Sequence, residues 1–200
     1  MKPNHRNLLL AALLILIAAG MRIVNAETHV YHLAPVAAIA LFSGSVIGRK
    51  GLALLLPLLA TLMADLYFQF FTEISGFYGL SQIMTYGALA FIVLLGSGMK
   101  KRTPLRIAGF TIAGSVVFFL LSNFGVWLDQ LLVAPGLRMY PTSFAGLGQC
   151  YLMALPFYTP MGTTMFLNSF AGDLLFSFLL FGIYAVAKSK KEAMQPAFRK

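Results

Sequence analysis

The chain has 200 residues, of which 59% are hydrophobic and 10% are charged, and its mean hydropathy is +0.81. A soluble domain of average composition carries about 25% charged residues, so this composition excludes an ordinary soluble domain and predicts an all-α, polytopic membrane protein with a single domain over residues 1–200. The net charge of +9 sits at the ends of apolar runs. We therefore expect lipid headgroups, and not nucleic acid, to meet this charge.

Six apolar runs are candidates to cross a bilayer, which requires about 20 residues each. In chain order they are Leu8–Val24, Ala34–Gly48, Leu52–Phe71, Leu80–Met99, Leu105–Leu128 and Met161–Ala187. The second run is short, so it must be tilted or extend into the polar stretch before it. Val24-Asn25-Ala26 resembles a signal-peptide cleavage site. We expect no cleavage, because Arg22 interrupts the approach to that site and cleavage would leave an odd number of spans.

Thirteen of the fifteen Lys and Arg residues form four clusters that meet alternate ends of these runs. The clusters are Lys2 and Arg6; Arg49 and Lys50; Lys100, Lys101, Arg102 and Arg106; and Lys188, Lys190, Lys191, Arg199 and Lys200. Short cytoplasmic loops accumulate Lys and Arg. The pattern therefore predicts a multi-pass protein of the inner (plasma) membrane with six spans and both termini in the cytoplasm. Arg22 and Arg138 then fall outside.

A seventh apolar stretch, Phe144–Phe157, is bracketed by Pro141, Pro156 and Pro160. It is too short for a comfortable span, and a seventh span would move the last basic cluster outside. We expect a short helix that lies over the outer face or dips into it, just before the last span. Irregular backbone at that depth requires protein or a water-filled cavity around it, so the helix would cap or wall an outward-facing pocket.

Two rows of small residues have the spacing that lets helices approach closely. Ala40, Gly44 and Gly48 form one row, and Gly109 and Ala113 form the other. Packing within the bundle is the expected role of most of these residues. A docking face for a partner subunit is the alternative.

Two acids, Asp65 and Asp173, lie within predicted spans at middle to outer depth. Carboxylates in a membrane are costly, so they usually face the interior and meet a partner or a substrate. The two acids could flank one outward-facing cavity. Each could instead cap a broken helix or bond a neighbouring polar group, and Asp173 follows Gly172 directly, which favours a cap there.

Further candidates lie near the predicted outer boundary. Aromatic residues there are most often interfacial anchors, and the remainder could line a pocket, because ligand sites are mostly apolar with a few placed polar groups. We predict the substrate-binding residues to be Asp65, Asp173, Asn168, Tyr140, Tyr151, Trp127 and His32.

Metal and catalytic chemistry find little support in the residues. His29 and His32 have a spacing that could hold a metal, but no third ligand stands out. The lone Cys150 cannot form an intramolecular disulfide and is expected to pack as a small hydrophobe. Nucleotide-binding loops and recognisable catalytic motifs are missing. We therefore expect no metal, no cofactor and no enzymatic activity.

Two stretches carry a family resemblance: APVAAIALFSGSVIGRKGLALLLPLLATLMADLYF (Ala34–Phe68) and YPTSFAGLGQCYLMALPFYTPMGTTMFLNSFAGDLLFSFLLFG (Tyr140–Gly182). They resemble a family of small bacterial membrane proteins, and their layout is similar to the substrate-binding (S) components of energy-coupling-factor (ECF) vitamin transporters. There too a proline and a small-residue helix precede a basic turn and a helix that ends in an acid, and the final helix opens with a Gly-Asp pair. The resemblance implies a six-helix bundle that binds a vitamin-like molecule in an outward pocket, with a separate membrane scaffold and ATPases as partners.

The leading hypothesis is therefore a protein that takes up a small molecule. One alternative is a membrane-embedded enzyme acting on lipid-linked substrates, for which His29 and His32 give the only hint. The other is a non-catalytic subunit that packs against a membrane partner through Ala40, Gly44 and Gly48.

Overall fold

The computed structural model describes residues 5–28, 35–155 and 165–194, with side chains for 12–28, 35–155 and 169–189. The helices are α1 (His5–Glu27), α2 (Val36–Val46), α3 (Lys50–Phe71), α4 (Leu80–Ser97), α5 (Pro104–Asp129), α6 (Phe144–Met153) and α7 (Met165–Met194), with one 3-10 turn at Pro135–Leu137. Within these described ranges no residue forms a strand. The predicted all-α class is confirmed.

Four of the predicted spans are helices long and apolar enough to cross a membrane: Lys50–Phe71, Leu80–Ser97, Pro104–Asp129 and Ser169–Ser189. The second predicted span is different, because α2 has only 11 residues and rises about 17 Å. The first is a 23-residue helix that continues to Glu27, beyond the predicted end at Val24. Arg22 therefore lies within α1, with a full turn of helix after it, and not in the connection predicted for it.

The α2 helix packs against α1, α3, α4, α5 and α7, and so lies at the centre of the bundle. Its small residues explain the close approach. A Cβ atom at Gly44 would collide with the carbonyl oxygen of Val93 on α4, and Ala40 is fully buried. These two positions therefore serve packing within the chain, while a Cβ atom at Gly48 or Gly109 would meet open space.

A polar bond between α2 and α3 compensates a proline. Pro57 lies inside α3 and has no N–H, so it leaves the carbonyl of Ala53 without its helical donor. The hydroxyl of Ser43 on α2 donates to that carbonyl at 2.8 Å. Ser43 is fully buried, so this bond supplies a donor where water cannot.

The two ends of the bundle differ in charge. At one end Arg102 donates to the carbonyl of Ser45 and lies 5.6 Å from the ring centroid of Tyr184, which brings the end of α2, the start of α5 and the last part of α7 together. This end, which we call the basic end, also carries Arg49, Lys50, Lys100 and Lys101. At the opposite end Asp129, which ends α5, accepts from the backbone N–H groups of Leu80 and Ser81 at 2.6 and 3.0 Å.

Candidate functional site

A cavity of about 540 Å³ lies between the helices in the half of the bundle away from the basic end. The last turns of α1, α3 and α5 and the first turns of α2, α4 and α7 line it, together with the end of α6. Much of the wall is apolar, as at Phe68, Leu89 and Phe118. Polar groups are placed within that wall, and they include Arg22, Tyr78, Thr85, Ser115, Asn123 and Asp173.

One side of the cavity is built around Arg22 of α1. Its Nη2 lies 2.9 Å from Asp65 Oδ1, and its Nη1 donates to the carbonyl of Thr61 at 2.9 Å. The guanidinium also lies 5.9 Å from the ring centroid of Phe68. A guanidinium has five N–H donors, so these two partners hold Arg22 and leave donor capacity beside the cavity that it lines.

Asp65 lies behind Arg22, away from the lining, and only 1% of its surface is exposed. Its second oxygen accepts from the Tyr86 hydroxyl at 2.8 Å and from the Gln82 amide at 3.1 Å, both on α4. A buried carboxylate is tolerated when it is paired and its remaining lone pairs are bonded. The arrangement makes Asp65 the group that fixes Arg22 in position.

Tyr78 adds a neutral hydroxyl to this side. It lies in the connection between α3 and α4 and lines the cavity. Burial, and then the charge of Asp65, raises the pKa of Tyr78 above its usual value, while Arg22 and Thr85 oppose the shift. At neutral pH the phenol therefore keeps its proton and can donate as well as accept a hydrogen bond.

Asp173 of α7 lies on the other side of the cavity, and 5% of its surface is exposed. The hydroxyl of Ser115 on α5 donates to its Oδ2 at 2.7 Å. Across the described side chains, no cation lies within ion-pair distance of Asp173. A buried carboxylate without an ion-pair partner is costly unless a cation or a proton neutralises it.

The other predicted site residues fall into two groups. Trp127, Tyr140 and Tyr151 lie outside the lining of the cavity. Trp127 donates to the carbonyl of Pro141 at 3.0 Å, and Tyr151 donates to that of Leu120 at 2.9 Å, so both tie the α6 region to α5. The side chains of Asn168, His32 and His29 lie outside the part that the structure describes.

The short helix predicted within Phe144–Phe157 is present as α6, which ends at Met153. Residues 156 and 157 of the prediction lie beyond the described range. Met153 and Ala154 contribute to the wall of the cavity, the position expected for this segment. Cys150 of α6 is buried and donates to the carbonyl of Asn123 at 3.4 Å. Burial raises the pKa of this thiol, so it stays protonated and unreactive.

Sequence reasoning missed Arg22, Tyr86 and Ser115 as parts of the site. Arg22 gave a signal, because an arginine inside an apolar run is itself an intramembrane charge that requires a partner. The others gave none, because single Tyr and Ser residues occur throughout such sequences. No group of three His, Cys, Asp or Glu side chains that could hold a metal occurs among the described residues.

The fold and the cavity thus define an all-helical protein that is membrane-embedded by the length and apolar character of its helices, with a polar-lined cavity towards one end of the bundle. Residues 2–195 match the profile of DUF6580, a family of unknown function, and the chain belongs to this family. No curated protein and no solved structure matches the chain.

Proposed function

We propose that this protein binds a small, vitamin-like molecule in its cavity and takes it up across the membrane, with a plan similar to that of ECF S components. The observation that carries the proposal is the cavity itself. Its volume of about 540 Å³ falls within the range of roughly 300–1,000 Å³ that is typical of small-molecule sites. Such sites also combine an apolar wall with a few placed polar groups, as this one does.

The charge asymmetry supports an orientation for the cavity. Loops rich in Lys and Arg remain in the cytoplasm, so the basic end faces inward. The cavity lies in the other half of the bundle and would then receive its ligand from outside. In this arrangement α1 and α2 complete six spans, both termini are cytoplasmic, and the short α2 is shielded from lipid by the helices around it.

The polar groups favour a ligand with an acidic group. Arg22 offers guanidinium donors beside the cavity, and Arg recognises carboxylate and phosphate groups through paired hydrogen bonds. Tyr78 adds a neutral hydroxyl on the same side. Phe68 and Phe118 suit an apolar or aromatic body. The resemblance to S components also makes a membrane scaffold with ATPases a candidate partner.

Equilibrium dialysis of the purified protein against an aqueous metabolite extract, read by mass spectrometry, tests this proposal. We expect the wild-type protein to enrich at least one compound that carries a carboxylate or phosphate. Arg22→Gln should lower the enrichment by roughly tenfold or more, the effect of losing one charge-assisted contact. Arg22→Lys keeps the charge and should fall in between, provided that both variants remain folded.

Arg138→Gln is the matched control, because Arg138 donates to the carbonyl of Val133 at 3.0 Å and lies outside the lining of the cavity. Its enrichment should equal that of the wild-type protein. A folded wild-type protein that enriches no compound would contradict the proposed function. Equal loss in Arg138→Gln and Arg22→Gln would contradict the assignment of the cavity as the binding site.

A further inference from the structure

A narrow crevice adjoins the cavity at Asp173 and lies towards the middle of the bundle. The two spaces share Ser115 and Asp173 in their walls. Thr111 and Ser115 of α5 line the crevice, and so do Asp173 and Ser177 of α7. Residues four apart lie on one face of a helix, so each helix presents two oxygen-bearing side chains to this space.

The oxygens in the crevice are buried but incompletely bonded. Thr111, Ser115, Asp173 and Ser177 expose 3%, 4%, 5% and 0% of their surfaces. The hydroxyl oxygens of Thr111 and Ser177 have no hydrogen-bond partner among the described residues. Buried polar groups in native proteins are nearly always bonded, and an unbonded group costs about 1–3 kcal/mol. Two such groups beside an unpaired carboxylate therefore indicate an occupant.

The volume of the crevice and its oxygens limit which species can occupy it: water, a proton, a divalent cation or a monovalent cation. The crevice has no room for a water molecule, because its volume is roughly 0 Å³ and a water requires about 10–15 Å³. A proton on Asp173 would neutralise the carboxylate and supply a single O–H donor, so it could bond at most one of the Thr111 and Ser177 oxygens. A divalent cation such as Ca²⁺ or Mg²⁺ prefers more carboxylates or retained waters. A small monovalent cation meets both needs, because it neutralises one carboxylate and accepts hydroxyl oxygens as ligands.

We propose that Thr111, Ser115, Asp173 and Ser177 form a Na⁺ site, and that Na⁺ couples to the uptake assigned above; this coupling, though not the site, rests on the proposed function. Since Ser115 and Asp173 also border the cavity, the ion and the small molecule meet at the same two side chains. Na⁺ bound there fixes the positions of Ser115 and Asp173 in the cavity wall and so favours binding of the small molecule. The coupling is reciprocal, so the ligand raises the affinity for Na⁺ by the same factor.

The charged and titratable groups that face this site are few. On the cavity side the other charged or titratable groups in the described lining are Arg22 and Tyr78, and Arg22 is already paired with Asp65. The crevice wall contributed by α2 and α4 is apolar, as at Leu41 and Ile92. Within the described lining, Asp173 is therefore the group whose charge the ion balances.

Binding of ²²Na⁺ to the purified protein in detergent, with choline chloride as the balancing salt and no small molecule added, tests the site. We expect saturable binding of one ion per chain that K⁺ does not displace. Asp173→Asn should abolish it, and Thr111→Val and Ser177→Ala should each weaken it by roughly tenfold. Ser122→Ala is the control, because Ser122 lines the cavity but not the crevice. The affinity of this variant for Na⁺ should equal that of the wild-type protein.

Thermal unfolding of each variant checks that it is folded, and the removal of unbonded hydroxyls in Thr111→Val and Ser177→Ala makes folded protein the expected outcome. A folded wild-type protein without saturable Na⁺ binding overturns the site, as does binding that Thr111→Val and Ser177→Ala leave unchanged. Either result leaves the cavity and its ligand standing. A protein that binds Na⁺ but enriches no metabolite contradicts the proposed function and keeps the ion site.

Discussion

Asp65 and Asp173 are both carboxylates buried within the bundle, yet their surroundings are opposite. Asp65 Oδ1 is met by the guanidinium of Arg22 as an ion pair without a hydrogen bond, and its Oδ2 accepts from Gln82 and Tyr86. Asp173 receives one hydroxyl, from Ser115, and lies beside hydroxyls that have no partner. Burial alone therefore does not define a functional acid. Asp65 has a counter-charge among the described side chains, whereas Asp173 has none.

The largest effect should follow from breaking the pair of Arg22 and Asp65. Asp65→Ala leaves the Arg22 guanidinium without its counter-charge in a mostly apolar setting. We expect the free energy of unfolding to fall by about 3 kcal/mol, the low end for a buried pair because 22% of the Arg22 side chain is exposed. Denaturant titration in mixed micelles measures this. Glu73→Gln, at an exposed position, should change stability little, and an equally small effect of Asp65→Ala would refute the structural role of the pair.

Replacing both Arg22 and Asp65 separates the role of the ion pair in stability from its role in binding. In Arg22→Met/Asp65→Leu no charge is left unpaired, so we expect at least half of the loss in Asp65→Ala to be recovered, about 1.5 kcal/mol or more. The same double variant should not enrich an acidic compound, because it lacks the guanidinium. Recovered stability together with retained binding would show that Arg22 has no part in recognition.

The next effect concerns a hydrogen bond that Asp65 accepts from α4. Tyr86→Phe removes the hydroxyl that donates to Asp65 Oδ2 at 2.8 Å. A hydrogen bond to a charged group contributes about 1.5–3 kcal/mol, so we expect a loss near 2 kcal/mol in the same titration. Tyr67→Phe is the control, since the Tyr67 hydroxyl has no hydrogen bond among the described residues and its ring stacks on Phe71. Equal losses in the two variants would contradict the assigned contact.

Two fully buried serines allow a bonded hydroxyl to be compared with an unbonded one. Ser43 donates to the carbonyl freed by Pro57, whereas Ser177 has no partner in the described part of the chain. Without Na⁺, Ser43→Ala should lower the free energy of unfolding by about 1 kcal/mol, whereas Ser177→Ala removes an unbonded hydroxyl and should leave stability unchanged or raise it. If Ser177→Ala costs as much as Ser43→Ala in choline, its hydroxyl is bonded after all and the ion site loses its main support.

The smallest effect should come from Asp173 itself. In Na⁺-free buffer Asp173→Asn removes an unpaired carboxylate and keeps an oxygen that can accept from Ser115, so stability should change by less than about 0.5 kcal/mol. Addition of Na⁺ should stabilise the wild-type protein but not Asp173→Asn, because this variant does not bind the ion. A large loss in choline would place Asp173 with Asp65 as a structural acid.

Part of the candidate site could be predicted from the sequence. Acids inside apolar runs are rare enough that Asp65 and Asp173 stand out without any structure. Their different roles could not be predicted, because the deciding partners come from other helices: Arg22 from α1 for Asp65, and Ser115 and Thr111 from α5 for Asp173. The aromatic candidates Trp127 and Tyr151 share a boundary position with pocket residues, and only their bonds to Pro141 and Leu120 place them elsewhere.

Local composition is enough to predict the helices and the charge at their ends. The apolar runs predict helices because a bilayer leaves no water to bond the backbone, and the ends of those runs collect the basic residues. The same reasoning separated the short helix α6 from the long ones. Which polar groups meet depends on the tertiary structure, because helix rotation and register place Arg22 against Asp65 and place Thr111, Ser115 and Ser177 beside Asp173. Those contacts join residues far apart in the chain, and no local pattern encodes them.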